Sequence, residues 1–362
     1  MRAKMAMKVL HIITGMQKAA GTTTFVENVV NCLKAKGHDV EIVMSPDVFC
    51  QCDLIHIHGL WSGLLHKAAN FACENNIPVI WSTHGMTAPW SMHHKWWKKL
   101  PAWQLYQKRD LKRAVAIHCT TEQEVEWNKS LGFSNCFIAP LGTHLPKIKQ
   151  FHSTATANNY TLLFVGRIYP VKGLVNLIKA WKLVQSHPSN SQDSTIPFYR
   201  YRSNLPLNPQ WKLRIVGPDQ AGHQGELESL VRELGLADSV EFPGPKFGDE
   251  LNSEYDNCDC LILPSFTENF GATIVDALAH GKPCIASTFT PWRELQERGC
   301  GWWVSNEPEQ LAVAIREMSS LDDTARREMG SRGCELVEKK YTWDAVVKAM
   351  VARYREVLNG RA

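Results

Sequence analysis

Short apolar runs alternate with segments of helical periodicity through the first half of the chain. The apolar runs are mostly continuous, which is typical of parallel strands that are covered on both faces. They predict six strands, at Val9–Ile13, Val40–Met44, Leu54–Ile57, Val79–Ser82, Ala116–Cys119 and Cys136–Ala139. The segments between them predict four helices, at Thr22–Lys36, Ser62–Glu74, Ala102–Arg113 and Glu122–Ser130.

The second half of the chain repeats this alternation. It predicts six more strands, at Leu162–Gly166, Leu213–Val216, Val240–Phe242, Leu261–Leu263, Cys284–Ala286 and Trp302–Val304. The predicted helices are Gly173–Gln185, Gly225–Leu234, Glu250–Cys258, Ala272–His280, Pro291–Arg298, Pro308–Ser319 and an amphipathic tail helix, Tyr341–Leu358. Two βαβα series predict an α/β protein with two Rossmann-like, doubly wound domains, which bind ligands beyond the carboxyl ends of their strands.

Two polar segments interrupt this pattern. A stretch rich in Ser, Thr and Asn, Lys147–Asn159, predicts a linker, so we expect domains at 1–150 and 151–340. Ser186–Gln210 contains four prolines and no periodicity, and it predicts a surface insertion between a helix and its strand.

Composition narrows the class of protein. The 362 residues are 44% hydrophobic and 21% charged, which excludes collagen-like, disordered and disulfide-scaffold classes. No run approaches the roughly 20 apolar residues of a membrane helix, and the apolar run Lys8–Ile13 is too short for a signal-peptide core. Eleven cysteines without a CxxC pair indicate free thiols in a reducing cytosol. We therefore expect a cytoplasmic protein.

Charge is unevenly distributed along the chain. The net charge is +4, but the first 150 residues carry 17 Lys and Arg against 10 Asp and Glu. A basic first half and a mildly acidic second half suggest that the two domains meet different partners.

Common cofactor motifs are absent from the sequence. There is no G-x-G-x-x-G after a strand and no G-x-x-x-x-G-K-[ST], which argues against dinucleotide and P-loop sites. No D-x-D motif is present to hold a metal-bridged diphosphate. We expect neither a cofactor nor a metal.

Three segments that follow predicted strands carry candidate chemistry. Gly15 and Gly21 flank a small-residue loop ahead of the first helix, where backbone N–H groups can approach an anion. Arg167 and Lys172 flank a turn after the first strand of the second domain and can converge on a diphosphate. An ordinary turn and two solvated cations are the alternatives for these two segments.

The third segment is Pro264–Leu278, at the end of another strand of the second domain. Glu268 lies in the loop, and Asn269 to Gly271 open a helix whose amino end favours phosphate. Asp276 follows about one turn into that helix. Both carboxylates can reach a ligand that lies across the start of the helix.

Together these segments resemble a known family. The motifs GRxxxxKG and PSxxENFGxxxxDALAxGxPxIAS, in this order, are similar to those of the nucleotide-sugar-dependent glycosyltransferases of family 4, also called group 1. HxHGLWS, THGM and GPxFGDE extend the resemblance over nearly the whole chain. It implies a GT-B fold of two facing Rossmann-like domains. The C-terminal helix, about 341–362, would cross back to the N-terminal domain.

The resemblance also implies roles for individual residues. Arg167 and Lys172 match diphosphate-binding cations, and Glu268 matches an acid that contacts the transferred sugar. Asp276 matches an acid that holds the ribose hydroxyls, although the family usually has Glu there. His84 matches a histidine close to sugar and acceptor. Backbone amides that hold the sugar are matched by Asn269, Phe270 and Gly271.

The implied reaction is a metal-independent, retaining hexosyl transfer from a nucleotide sugar, without a protein nucleophile. The N-terminal domain would bind the acceptor and the C-terminal domain the donor. A nucleotide-sugar 2-epimerase and an inactive, sugar-nucleotide-binding relative remain alternatives. The sequence names neither the base nor the sugar of the donor.

The segment from Trp90 to Arg113 carries seven Lys and Arg against one Asp, interleaved with tryptophans. Tryptophan with cations is typical of an anionic membrane interface. A solvated helix and a nucleic-acid patch are the alternatives, and since no nucleic-acid-binding module is present we expect no nucleic acid. We expect a peripheral protein on the inner face of the cytoplasmic membrane, acting on a lipid-linked or other saccharide acceptor in lipopolysaccharide or polysaccharide biosynthesis. The candidate patch is Lys95, Trp96, Trp97, Lys98 and Lys99.

Overall fold

The structure is a computed structural model that describes residues 6–16, 21–146, 160–185 and 211–360. The predicted linker and the predicted insertion 186–210 lie outside the described residues. The chain forms two compact units, one of Met1–Gly142 with Tyr341–Ala362 and one of Thr143–Lys340. Each unit contains one six-stranded parallel sheet. This confirms the prediction of two Rossmann-like α/β domains.

The first unit is built on strands in the order β2-β1-β3-β4-β5-β6. They are β1 Lys8–Ile12, β2 Asp39–Val43, β3 Leu54–His58, β4 Val79–Ser82, β5 Ala116–Cys119 and β6 Cys136–Ile138. The helices are α1 Gly21–Ala35, α2 Gly63–Glu74, α3 Pro89–His93, α4 Trp96–Ala102, α5 Lys108–Arg113 and α6 Glu122–Ser130, with a short 3₁₀ turn at Pro46–Val48. Every residue of β3, β4 and β5 is buried, as continuous apolar runs predict.

The second unit has the strand order β12-β11-β10-β7-β8-β9. Its strands are β7 Tyr160–Val165, β8 Trp211–Val216, β9 Val240–Gly244, β10 Cys260–Leu263, β11 Cys284–Ser287 and β12 Gly301–Val304. Its helices are α7 Leu174–Gln185, α8 His223–Glu233, α9 Gly248–Asn257, α10 Ala272–Ala279, α11 Glu294–Glu297, α12 Pro308–Ser319 and α13 Asp323–Leu336. A 3₁₀ turn at Pro170–Lys172 precedes α7.

The last helix, α14 Trp343–Asn359, belongs to the first unit, as the resemblance implies. Its apolar face packs into the same core as α1 and β1. Thr342 caps its amino end by accepting a hydrogen bond from the Ala345 N–H. Lys36 of the first unit forms an ion pair with Asp344 on the exposed side.

Two regions differ from the predicted elements. The single helix predicted at Ala102–Arg113 is split: α4 contains Pro101, and a π-helical turn, Trp103–Gln107, joins it to α5. Proline removes a backbone donor and breaks the regular helical hydrogen bonds. Helix α13 was not predicted, because its apolar positions are few and glycines interrupt them. Those glycines pack closely: a Cβ at Gly330 would lie 1.9 Å from the Gly281 carbonyl oxygen.

All eleven cysteines are free, as predicted. Among the described residues, no helix is both long enough and apolar enough to cross a bilayer.

Candidate active site

The second unit brings two predicted segments together at the carboxyl edge of its sheet. Strands β7 and β10 are hydrogen-bonded neighbours, so the loops that follow them are adjacent. The Phe266 N–H donates to the Val171 carbonyl over 2.8 Å and ties one loop to the other. Gly173 has a φ of +71°, and a Cβ there would lie 2.0 Å from the Pro264 carbonyl oxygen. The close approach of the two loops therefore requires glycine at this position.

Lys172 and Glu268 form an ion pair across these two loops. Their side chains are only 14% and 13% exposed. The Ser265 hydroxyl donates to the same carboxylate oxygen over 2.8 Å. A part-buried ammonium and carboxylate, each held by the other, are positioned for charge-assisted bonds to a polar ligand.

Arg167 is exposed on the same edge, and its guanidinium donates to Gln220 Oε1 over 2.9 Å. The two predicted diphosphate cations therefore donate to different groups. The structure ties Lys172 to the predicted sugar-binding carboxylate and leaves Arg167 at the surface.

The start of α10 is shaped by Gly271 and Trp292. Gly271 lies just before the helix with a φ of +83°, and a Cβ there would lie 3.1 Å from Trp292 Nε1. The Phe270 ring is buried and packs edge-on against the Trp292 indole, with ring centroids 5.3 Å apart. Phe270 can therefore meet a ligand only through its backbone. Asn269 precedes it at the amino end of α10, as the sequence predicts.

Asp276 lies on the second turn of α10 and accepts a hydrogen bond of 2.6 Å from Thr143 Oγ1. Burial raises the pKa of Asp276 above its ordinary value, while the Thr143 hydrogen bond and the charges of His280 and His144 lower it. The buried Tyr255 hydroxyl has no hydrogen-bond partner among the described residues. The pKa of Tyr255 is raised by burial first and then by the Asp276 charge. Thr143 is a contact that the sequence did not reveal.

In the first unit, His84 follows β4 with a φ of +48°, a left-handed conformation that is uncommon outside glycine. His84 Nε2 lies 3.0 Å from His58 Nδ1, and His58 Nε2 lies 2.9 Å from His11 Nδ1. Burial, and then the charge of His118, lowers the pKa of His84 to about 3. These imidazoles are therefore neutral at pH 7.

His11, His56 and His58 could also hold a metal ion, because one ring nitrogen from each lies within 4.8 Å of the others. Five of their six ring nitrogens already take part in hydrogen bonds with Tyr354, Ser82, His84 or one another. A metal would have to displace these bonds.

Glu124 contacts both neighbours of the predicted site residue His84, and the sequence motifs did not single it out. It is fully buried on α6, and its carboxylate accepts from the residues on both sides of His84, Thr83 and Gly85. A signal was present, because Thr121 caps the helix and Glu124 follows three residues later, which is the spacing of a capping box.

The predicted glycine loop is only partly described, since residues 17–20 lie outside the described ranges. Gly15 and Gly21, on either side, are exposed, and a Cβ at either would meet no atom of the described residues within 4 Å. Packing against the described residues does not require glycine at these two positions, and anion binding stays a prediction.

The structure divides the side chains of the basic, tryptophan-rich segment from Trp90 to Arg113, which contains the predicted patch, into an exposed and an inner part. Trp90, Trp96 and Trp97 are each more than half exposed. The neighbouring cations Lys95 and Lys98 are exposed as well, and we call these five residues the tryptophan–lysine surface.

Lys99 and Trp103 belong to the inner part. Burial lowers the pKa of Lys99, which donates to the Ser91 carbonyl and lies 5.8 Å from the Trp61 ring centroid. The Trp103 ring packs on Trp61 and Phe133.

Comparisons with known proteins give a family and a fold. A model described as Glycosyl transferases group 1 matches residues 147–335, and one described as Glycosyltransferase Family 4 matches residues 46–145. A D-inositol 3-phosphate glycosyltransferase of Salinispora tropica is 29% identical over 204 residues, which cover 55% of this chain and 39% of that protein. The chain spans less than half the length of the first curated relatives it matches.

Two solved structures are similar over nearly the whole chain. The Anabaena protein HepE in complex with UDP matches with a TM-score of 0.73 and 17% identity, over 97% of this chain and 100% of that chain. A lipopolysaccharide outer core galactosyltransferase matches with a TM-score of 0.68 and 13% identity, over 98% and 100%. At these identities the likeness shows the fold alone, which is the two-domain GT-B architecture.

Proposed function

Because this chain belongs to the group 1 glycosyl transferases, whose model matches residues 147–335 and thus more than half of it, we propose that it transfers a hexose from a nucleotide sugar to a saccharide acceptor with retention of configuration. In this reaction the bond from the anomeric carbon to the donor phosphate breaks. A bond to the acceptor hydroxyl oxygen forms on the same face, and the hydroxyl proton passes to the departing phosphate.

The observation that carries this proposal is the Lys172–Glu268 pair at the meeting of two loops. Lys172 and Arg167 would neutralise the charge that develops on the departing diphosphate. Glu268 would accept hydrogen bonds from the hydroxyls of the transferred sugar, and Asp276 from the ribose. Thr143 donates to the Asp276 carboxylate and holds it in place.

We propose a nucleoside diphosphate sugar as the donor, with UDP as the first nucleotide to test, because the similar Anabaena structure contains UDP. No step of the proposed reaction requires a metal. We expect His84 to lie beside the transferred sugar and the acceptor, with its imidazole ring in the neutral form.

The first experiment is a thermal-shift screen of nucleotide sugars, followed by a transfer assay with the stabilising donor. A ligand at 100 times its dissociation constant adds about 2.7 kcal/mol to stability, which is easily measured. Lys172→Ala should lower turnover about 10²–10³-fold. The exposed Lys179 on α7 offers the matched control, and Lys179→Ala should retain wild-type turnover.

Four outcomes would revise the proposal. Inversion at the anomeric carbon, seen by NMR of the fresh product, would exclude the retaining mechanism. Loss of activity with EDTA would show that a metal takes part. Release of an altered sugar nucleotide without any acceptor would identify the 2-epimerase alternative, whereas donor binding without turnover would indicate an inactive relative.

We propose further that the acceptor is lipid-linked and that the reaction belongs to lipopolysaccharide or polysaccharide biosynthesis. The tryptophan–lysine surface would hold the protein to the cytoplasmic face of an anionic membrane. The chemistry of the exposed side chains supports the membrane role. Exposed indole rings insert at headgroup depth, and each cation near an anionic surface contributes about 1 kcal/mol. Similarity to a lipopolysaccharide galactosyltransferase agrees with such an acceptor.

Sedimentation with anionic liposomes tests this. Wild type should sediment, less at high salt, because salt screens the lysines but not the tryptophans. The variant Lys95→Glu, Trp96→Ser, Trp97→Ser, Lys98→Glu should stay in solution with its donor affinity unchanged. A matched control with the same kinds of change on the second unit is Lys179→Glu, Phe247→Ser, Lys339→Glu, and it should sediment like wild type. Equal sedimentation of both variants would refute the membrane role.

A further inference from the structure

One buried carboxylate in the first unit receives an unusual number of hydrogen bonds. Glu124 Oε1 accepts from the Thr83 hydroxyl over 2.8 Å and from the Gly85 N–H over 2.6 Å. Its Oε2 accepts from the Thr120 N–H over 2.7 Å and from the Thr120 hydroxyl over 3.0 Å. The side chain is fully buried. Four donors therefore converge on two oxygens away from water.

This donor pattern requires a carboxylate. An ionised carboxylate offers about four acceptor positions and no donor. A glutamine amide would fill the same volume, but its NH₂ would face two of the four donors. Because an unmet donor or acceptor is costly when buried, the turn would have to rearrange around such a side chain.

Two of the four donors belong to the residues that flank His84. Thr83 donates through its hydroxyl and Gly85 through its backbone N–H to the same oxygen, so Glu124 holds the residues on either side of His84. Asn128, one turn further along α6, donates to the Thr83 hydroxyl oxygen over 3.3 Å and restrains Thr83 further. His84 itself has a φ of +48°, a conformation that persists only where surrounding contacts impose it.

A hydrogen bond of the His84 ring restrains the residue a second time. His84 Nε2 lies 3.0 Å from His58 Nδ1, at the end of β3. The Glu124 bonds fix the backbone, and the His58 bond fixes the ring. Together they leave the imidazole a single orientation.

We propose that Glu124 is a positioning residue for sugar transfer, which fixes the Thr83–Gly85 turn so that His84 presents its ring in the geometry that the reaction needs. The inference rests on the proposed function, since it assumes that His84 lies beside the sugar and acceptor. Glu124 itself, buried beneath the turn, contacts no substrate.

The kinetic test compares Glu124→Gln with Glu122→Gln. Glu122 is exposed on the first turn of the same helix, so the control removes the same charge without touching the turn. Glu124→Gln should lower kcat about 10- to 100-fold, the range expected when a reacting geometry shifts by about 1 Å. Its KM for the donor should stay within about twofold of wild type, because the predicted donor residues lie in the other unit. Glu122→Gln should match wild type in both.

Thr83→Val provides a second variant in case Glu124→Gln does not fold. It removes one of the four donors at nearly constant volume and should lower kcat by a smaller factor, again at constant donor KM. If kcat in both variants equals that of wild type, or if KM and kcat change together, Glu124 does not act through His84.

A measurement without turnover separates this inference from the proposed function. Nitrogen NMR of ¹⁵N-histidine-labelled protein should show a neutral His84 at pH 6 in wild type and in Glu122→Gln. In Glu124→Gln the His84 signals should shift and titrate nearer the ordinary range. An unchanged His84 titration in Glu124→Gln would overturn the positioning role even if sugar transfer is confirmed. A shifted titration in this variant, together with no transfer activity in wild type, would support the positioning role and refute the proposed function.

Discussion

At the scale of single residues, a chain of hydrogen bonds fixes the protonation of the buried histidines. The Ala139 carbonyl can only accept, so His118 Nε2, 2.7 Å away, carries a proton. The neutral His118 ring then accepts at Nδ1 from the Ser82 hydroxyl over 2.6 Å. Ser82 in turn accepts from His56 Nε2 over 2.7 Å, and His56 Nδ1 accepts from the Tyr354 hydroxyl over 2.6 Å. Every member of this chain is satisfied in its neutral form.

These neutral histidines should make the stability of the first unit depend on pH. Burial, followed by the charge of neighbouring imidazoles, lowers the pKa of His11 to about 3 and lowers those of His56 and His58 well below the ordinary value. The unfolded chain therefore binds more protons below about pH 6.5. Stability should be full above that pH and fall by about 1.4 kcal/mol per pH unit for each such histidine as the pH drops towards 3.

Hydrogen exchange at pH 7 and pH 5, corrected for intrinsic rates, measures this effect. Amides of β1 and β3 should lose protection at pH 5, while those of β7 and β10 in the second unit serve as an internal reference. His11→Asn removes one titrating ring, so the loss of protection between pH 7 and pH 5 should be smaller by about the contribution of one histidine. The same loss in His11→Asn as in wild type would show that other groups cause it.

The sequence indicated those candidate site residues that lie in contiguous motifs. Lys172 and Glu268 stand at fixed positions after strands, and parallel strands bring such positions to one edge, so their meeting was predictable. The contacts of Glu124 with Thr83 and of Asp276 with Thr143 join residues 41 and 133 positions apart. No local pattern encodes such pairs, because each depends on how separate elements pack.

At the scale of elements, continuous apolar runs located all twelve strands of the described residues, because burial on both faces leaves a strong signal in the sequence. Helices that are irregular or poor in apolar residues were less predictable. The π-helical turn between α4 and α5 buries Gln107, whose side-chain oxygen accepts from the Trp61 N–H over 2.9 Å. That contact belongs to the tertiary structure, and the helical periodicity of the sequence does not reveal it.

The junction of the two loops in the second unit should be sensitive to a single methyl group. Gly173→Ala places a Cβ 2.0 Å from a backbone oxygen at a φ of +71°, and neither the strain nor the clash can be relieved by moving a side chain. We expect a loss of about 1–3 kcal/mol or more in stability, with a lower melting temperature and weaker donor binding. At Gly225 in helix α8, a Cβ would meet no atom of the described residues within 4 Å apart from the helix's own backbone, so Gly225→Ala should instead raise stability by about 0.5–1 kcal/mol. Equal melting temperatures for the two variants would contradict the steric argument.

At the scale of the whole molecule, the chain returns to its first unit after completing the second. Six side chains of α14 are buried: Trp343, Val346, Val347, Met350, Val351 and Tyr354. They form one core cluster with Phe25, Val29 and Ile80 of the first unit. The Trp343 ring packs against Gly142, where a Cβ would lie 2.5 Å from the ring atom Cδ2 and 3.0 Å from the Trp343 Cα. The first unit is therefore complete only when the last residues of the chain are in place.

Removal of α14 should consequently unfold the first unit and spare the second. Burying one large apolar side chain contributes about 1.5–3 kcal/mol, so the loss of six is comparable with the whole stability of a domain, about 5–15 kcal/mol. The Tyr354 hydrogen bond to His56 would be lost as well, leaving a buried ring nitrogen unsatisfied. Hydrogen-exchange mass spectrometry of a chain that ends at Thr342 should show full exchange in β1 to β6 and native protection in β7 to β12. A chain lacking only residues 360–362 is the control and should match wild type throughout. Native protection of β1 and β3 in the shorter chain would mean that α14 covers a core already stable without it.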